Sequence, residues 1–320
     1  MRNEKGKRGK KLALTERKGN LMGSDRPVRH VPVLLEEVLR WLAPAAGQIW
    51  VDATVGAGGH ALPLAEAVGP EGRLIALDQD PTMLALARSR LAGRPVTFIQ
   101  SRFDRLPHIL STLGIEQVDG LLADLGFASD QVDDPQRGLS FRQDGPLDMR
   151  MDPTADLTAE EIVNSWSERD LARLLWEYGE ERYSRRIARQ IVEQRRRHPL
   201  RRTTELAELV RRCVPRRGSI DPATRTFQAL RIAVNEELQA LERLLAVLPD
   251  LIRPGGRVGF ICFHSLEDRP VKQAFRQAEL WQVLTRKPIT PSEEEMARNP
   301  RARSARLRVA QRVARSASTP

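Results

Sequence analysis

Gly56-Ala57-Gly58-Gly59-His60-Ala61 follows a short apolar run and opens a stretch with helical character. It fits G-x-G-x-x-[GA], in which glycines let the backbone turn tightly and approach a ligand where a Cβ would clash. Alone the pattern is a weak signal, and its setting strengthens it. Asp78 ends the next apolar run, twenty residues beyond Gly58, where a carboxylate can accept hydrogen bonds from both hydroxyls of a ribose. Together these residues point to an adenosine-containing cofactor and leave a nicotinamide dinucleotide and S-adenosylmethionine both open. Asp124-Leu125-Gly126 closes a later apolar run. A carboxylate there would face the reacting centre of an open α/β sheet. Hydride transfer has no clear need for it, whereas transfer to an amine does.

The elements that must position these residues are legible as alternating runs. Ile49–Thr54, Arg73–Asp78, Val96–Gln100 and Gly120–Asp124 read as short buried strands, and Val33–Leu42 and His60–Val68 as helices. Asp80 caps a further helix with Pro81 at its first position. Strands alternating with helices predict an α/β fold with a parallel sheet covered on both faces. The alternation then stops. Residues 131–157, rich in Asp, Pro, Gly and Arg, read as a long functional loop. Thr158 and Glu161 form a capping box, and the stretch to Pro215 is helical and Arg-rich. Phe227, Leu230, Val234, Leu238, Leu241, Leu245 and Leu248 lie on one face of a single long helix. Pro254-Gly255-Gly256 ends that helix, and Arg257–Phe263 returns to the strand pattern.

The organisation expected is a basic disordered leader over 1–26 and a first part of the α/β domain over 27–132. An inserted helical substrate domain follows over 133–226, then a second part of the α/β domain over 227–297 and an Arg-rich C-terminal segment over 298–320. Met22 is an alternative start.

Net charge is +10, unevenly spread. Residues 1–30 carry ten Lys/Arg against three acids, and residues 298–320 seven Arg and no acid, which leaves about −4 for the rest. A second basic cluster, Arg182–Arg217, has thirteen Arg against three Glu. A polyanionic partner is the functional reading, and a solvated helix face the bland one. The few aromatics mark no stacking platform. Cys213 and Cys262 have no disulfide or zinc spacing, so no metal is expected and a cytoplasmic location fits. No run is long and apolar enough to span a membrane.

Several segments together resemble one family. They are His30-Val31-Pro32-Val33-Leu34-Leu35-Glu36-Glu37, Asp52 through His60, Asp124-Leu125-Gly126, Gln131-Val132-Asp133-Asp134, Arg137 through Phe141 and on to Asp144-Gly145-Pro146-Leu147-Asp148-Met149-Arg150-Met151-Asp152, Tyr178-Gly179-Glu180-Glu181, Ala223 through Arg231, Phe263-His264-Ser265-Leu266-Glu267-Asp268-Arg269, and Asn299 through Ser304. The chain resembles, from about residue 29 to 315, the bacterial 16S ribosomal RNA methyltransferases of MraW type, which act on N4 of a cytidine. The resemblance implies a class I Rossmann-like S-adenosylmethionine methyltransferase domain with an inserted small helical domain. It implies that Gly58, Gly59, His60, Asp78, Phe103, Asp124 and Gln131 line the cofactor site, with Phe103 beside the adenine, and that 16S ribosomal RNA is the partner, within the assembled small subunit. A homodimer is compatible with it. The family usually reads LLDLG-(V)-SS after the fourth strand. Here Phe127, Ala128 and Ser129 follow Gly126, so Ala128 removes a hydroxyl.

The chemistry expected is an in-line methyl transfer to an exocyclic amine, driven by positioning and electrostatics. Asp124 is the candidate catalytic residue, placed near the amine to accept its hydrogen bond by side chain or adjacent backbone carbonyl, with support of the cofactor alone as the other reading. Methylation at C5 would instead need a thiolate, and neither cysteine has an evident place at the site. His264, Ser265, Glu267 and Asp268 can reach the same crevice. Asp144–Asp152 reads as a clasp or lid over the site, and phosphate contact falls to Arg182–Arg217 and the C-terminal arginines. Rival readings are a nicotinamide oxidoreductase on the same fold, a non-catalytic RNA-binding factor, and a DNA methyltransferase.

Overall fold

The computed structural model describes residues 32–216 and 220–314. The 1–26 leader, Met22, His30-Val31, Arg217 and residues 315–320 lie outside the described residues.

Seven strands form one sheet in the order β3-β2-β1-β4-β5-β7-β6. They are β1 (Ile49–Asp52), β2 (Arg73–Asp78), β3 (Val96–Gln100), β4 (Val118–Asp124), β5 (Ile252–Cys262), β6 (Trp281–Val283) and β7 (Arg306–Arg312). β1 to β5 pair in parallel, and β7 runs antiparallel between β5 and β6. The helices described are α1 (Leu35–Leu42), α2 (Ala61–Val68), α3 (Pro81–Arg90), α4 (Leu106–Thr112), α5 (Ser129–Asp133), α6 (Ala159–Ser165), α7 (Glu168–Gly179), α8 (Ser184–Arg195), α9 (Thr203–Cys213), α10 (Thr224–Val234), α11 (Glu237–Leu251), α12 (Ser265–Phe275) and α13 (Glu293–Arg298).

The sheet is buried on both faces because its strands are apolar at successive positions. Val51, Ile75, Leu77, Leu121, Ala123, Val258 and Phe260 pack with Leu241, Leu244 and Leu248 of α11 on one side. Trp50, Leu74, Ala76, Leu122, Ile261, Leu307 and Val309 pack with Val38, Leu64 and Ala87 on the other. A third buried cluster gathers side chains from Leu139 to Val234 around α6 to α10. In α8 the buried residues Ile187, Ala188, Ile191 and Val192 share one face, while Arg185, Arg186 and Arg189 are exposed.

Three expectations need correction. The single long helix after Phe227 is two helices, α10 and α11, separated at Asn235 and Glu236. Glu236 has φ +49, a left-handed conformation that costs a non-glycine residue on the order of 1 kcal/mol. The buried Asn235 side chain stabilises the break: it donates to Met149 O and Arg231 O and accepts from Met151 N–H, all within 2.9 Å. The apolar spacing passes through the break unaltered, because Val234 and Leu238 are still four residues apart. Second, Pro254-Gly255-Gly256 lies within β5, in an irregularity that shifts its register against β4 between Val118 and Gly120.

Third, within the Arg-rich C-terminal segment, Arg306–Arg312 form the sheet strand β7. Arg308 and Arg312 of β7 are buried, so they are not phosphate contacts. Arg308 makes two hydrogen bonds to Asp268, of 2.6 and 2.9 Å. Arg312 donates to Pro249 O and Leu280 O. Alternation along the strand forces this placement: Leu307 and Val309 take one face, which leaves Arg308 and Arg312 facing α11 and α12.

Candidate functional site

A cleft open to solvent lies beyond the carboxyl ends of β1, β2 and β4. Ligands sit here in open α/β sheets because the strand order reverses between β1 and β4, and the loops that follow diverge. Asp78 and Asp124 are the last residues of β2 and β4 and line the cleft. Asp52, the last residue of β1, is buried behind them and accepts from Thr54 N–H at 3.2 Å. The Thr54 hydroxyl in turn accepts from Asp124 N–H at 2.7 Å.

The glycine-rich turn joins β1 to α2. Gly56 has φ +50 and donates its N–H to Asp78 Oδ2 at 2.8 Å, while Asp80 N–H donates to Asp78 Oδ1 at 2.9 Å. Asp78 therefore organises the loop as well as facing the cleft. Gly58, with φ +81, does not line the cleft. A Cβ there would meet Leu91 and Ala87, so this glycine lets the turn pack against α3. Gly59 and His60 do line the cleft, as do Phe103 and Gln131.

His60 is buried, with Nε2 2.8 Å from Val33 O and Nδ1 3.7 Å from Asp124 Oδ2. The Gln131 side chain is committed to the protein. Its amide donates to Asp80 Oδ2 at 2.8 Å, and its carbonyl accepts from Ala128 N–H at 2.8 Å. Asp80 also receives Arg137 at 2.7 Å, and Arg137 reaches Arg150 O and Met151 O. This chain of contacts ties the Asp144–Asp152 segment to the cleft wall through Met151. Leu147, Met149 and Met151 of that segment are buried, so its alternation of acids and apolar residues is a packing pattern. Asp144 faces Arg202 and Thr204, and Asp148 faces Arg150.

Sequence reasoning missed part of the wall. Asn235, Glu237, Ala240 and Leu241 enter from the α10–α11 break and the start of α11. The signal available was Asn235-Glu236-Glu237, a polar residue followed by acids, as at a helix start. Glu237 holds Arg231 by two 2.8 Å hydrogen bonds, and that guanidinium lies 4.6 Å from the Phe127 ring centroid at the cleft mouth. Glu267 is buried at the start of α12, accepting from Phe263 N–H at 2.8 Å, with His264 Nε2 3.1 Å away. Glu237, His264 and Glu267 bring metal-competent atoms within 4.8 Å of one another. Arg231, already engaged by Glu237, places a fixed positive charge beside them, which opposes a second cation.

The acids are strongly perturbed. Burial pushes the Asp52 carboxyl up to about 7, with Asp78 adding to the rise against the Thr54 N–H. Burial likewise raises Asp78 to about 6, against the N–H groups of Asp80 and Gly56. Asp124 is raised well above the ordinary carboxylate range by burial first, then by Asp52 and Glu267. For Glu267 burial opposes ionisation, but the His264 hydrogen bond, His264 and Arg231 charge and the Phe263 N–H outweigh it and hold the carboxyl low. Asp124 Oδ1 is buried without a hydrogen-bond partner. Neither Cys213 nor Cys262 lines the cleft, and burial raises both thiols.

The cleft suits a cationic nucleoside. Phe103, Leu125 and Leu241 offer apolar surface, Asp78 an acceptor, and Asp124 a carboxyl group that favours a nearby positive charge. Sheet order, antiparallel β7 and acid-lined cleft define a class I Rossmann-like methyltransferase. The model of the MraW methylase family matches residues 27–313, and the chain belongs to that family. S-adenosylmethionine is its methyl donor. A relative from Sorangium cellulosum, called ribosomal RNA small subunit methyltransferase H, is 51% identical over 90% of this chain and 92% of its own length. A Cyanothece relative of the same name is 53% identical over 89% and 95%. The crystal structure of a proposed rRNA methylase from Clostridium thermocellum aligns over 87% of this chain and 95% of that one, at 12% identity and a TM-score of 0.44.

Proposed function

We propose that the chain methylates the exocyclic N4 amine of a cytidine in small-subunit (16S) ribosomal RNA, within the assembled subunit. The names of its relatives support the RNA class, and the observation that carries the amine is Asp124 Oδ1, a buried acceptor without a partner in the cleft. In this reading the Gly56–Gly59 turn, His60, Asp78, Phe103 and Gln131 hold the cofactor, with Gly58 and Gln131 acting by shaping the loops around it. When bound, S-adenosylmethionine supplies an electrophilic methyl group. The Asp124 carboxyl accepts an N–H of the amine, which draws the nitrogen lone pair out of ring conjugation, and takes the proton that nitrogen must lose on gaining a methyl. Burial keeps that carboxyl basic enough for the task, and a cation beside it favours its ionised form. Thr54 fixes the backbone of Asp124, and His60 flanks its Oδ2. The RNA backbone docks on the exposed arginines of the 133–226 segment.

The test is incubation with methyl-labelled S-adenosylmethionine and undermethylated small subunits, followed by digestion to nucleosides. Label in N4-methylcytidine is expected. Label in 5-methylcytidine would require a thiolate and would remove Asp124 from its role. Asp124→Asn should lower turnover by about 100-fold or more, the usual size of a lost general base, while S-adenosylhomocysteine affinity changes little. Full turnover in that variant would end the assignment.

A further inference from the structure

Trp176 is 59% exposed on α7, although the apolar face of that helix, Leu171, Leu174 and Leu175, is fully used in the helical core. It lines a surface hollow with Glu177, Glu180, Arg182, Arg225, Leu266 and Arg269. The hollow is formed jointly by α7 and its following turn, α10 and α12. Leu266 and Arg269 face it from α12, whose neighbouring residue Glu267 faces the catalytic cleft. The hollow thus lies one helix start away from the cleft.

Glu180 is occupied: its carboxylate accepts from the Ser265 hydroxyl at 3.1 Å and lies 3.6 Å from Arg269, while its backbone oxygen accepts from Arg225. Along α7, Arg169 and Arg173 fall on the same face as Trp176 at helical spacing, and both are exposed. An indole with an open face, rimmed by arginines and set beside the cleft, matches an unpaired nucleotide: the base stacks, and the guanidiniums take the phosphates.

We propose that this hollow is a second RNA subsite, in which a single-stranded nucleotide next to the target stacks on Trp176 while the target base enters the cleft. The subsite rests on the RNA reading above. It accounts for a large aromatic left in water, and it anchors the strand on the side of α12 away from the donor. Stacking on Trp176 resists the strand's return to its own helix, which the target base must leave to react.

The probe is a single-stranded 12-nucleotide RNA carrying 5-bromouridine, bound to the full chain with S-adenosylhomocysteine present. Irradiation should cross-link it to Trp176. Trp176→Leu should weaken RNA binding by about 10-fold, the scale of one lost stacked base, and Trp176→Phe should recover most of it. S-adenosylhomocysteine affinity should stay within about 2-fold in both, which shows that the fold is intact. The subsite is overturned if Trp176→Leu binds RNA and methylates small subunits as the wild type does. It is also overturned if Trp176→Leu changes only the oligomeric state in light scattering, which would make the hollow a contact between copies. A wild type that neither binds RNA nor methylates subunits sinks the RNA reading itself, a result separable from the first two.

Discussion

Two regions of this chain share an arginine-rich composition and have opposite fates. In the 182–216 stretch Arg185, Arg186, Arg196 and Arg197 stand exposed on a helical layer whose other face is apolar. In β7, Arg308 and Arg312 are buried and held by Asp268 and by backbone carbonyls. The difference lies in periodicity. A helix with a narrow apolar stripe can turn its arginines to water, whereas a strand in the interior of a sheet is covered on both faces and must bury alternate residues whatever they are. Charge composition therefore does not locate an RNA-binding surface until the register of each element is known.

The sharpest way to break this contrast is Arg308→Ala. It leaves Asp268 buried with, among the described residues, the 3.8 Å approach of Arg306 as its remaining ion pair, and losing one partner of a buried pair costs about 3 kcal/mol or more. Thermal unfolding should fall by roughly 5 °C or more. A shift near zero would mean that β7 tolerates an unpaired acid and that its arginine is surface-like after all.

The converse experiment replaces Arg185, Arg186, Arg196 and Arg197 together by alanine. Unfolding temperature should barely move, while affinity for the small subunit drops about 10-fold at moderate salt and the slope of log affinity against log salt becomes shallower. An unchanged slope would take these arginines out of phosphate contact.

The smallest effect concerns the acids of the cleft. Asp52 and Asp78 keep protons in the folded state, at pH values up to about 7 and 6, that the unfolded chain releases near its ordinary 3.8. Folding then binds more protons than unfolding does, so stability declines as pH rises from about 4 through 7 and levels off above that window. Asp52→Asn, which still accepts from Thr54, should flatten the unfolding temperature between pH 5 and 8 and raise it at pH 8 by ~3 °C. An unaltered profile would show that Asp52 titrates as an ordinary carboxylate.

Strands β2 and β3 were legible residue for residue, because short apolar runs that follow a Gly or Pro and end at a polar residue have few alternatives. Strands β6 and β7 were not. Trp281–Val283 is three residues long, and the arginines of β7 mask its alternation. At the site, Asp78 and Asp124 were legible as acids at strand ends. Gln131 lines the cleft and also braces Asp80 and Ala128, while Gly58 packs on α3 outside the cleft lining. Glu237 and Arg231 were hidden because an uninterrupted apolar spacing conceals a helix break.

By itself the sequence determined the alternation of strands and helices, the glycine turn, and the acids that end the strands, since each is a local consequence of side-chain period and backbone freedom. Only the tertiary structure decided which charges are buried. Burial is set by what packs across the sheet and between the layers, and it separates the arginines that hold β7 in place from those left to meet a polyanion.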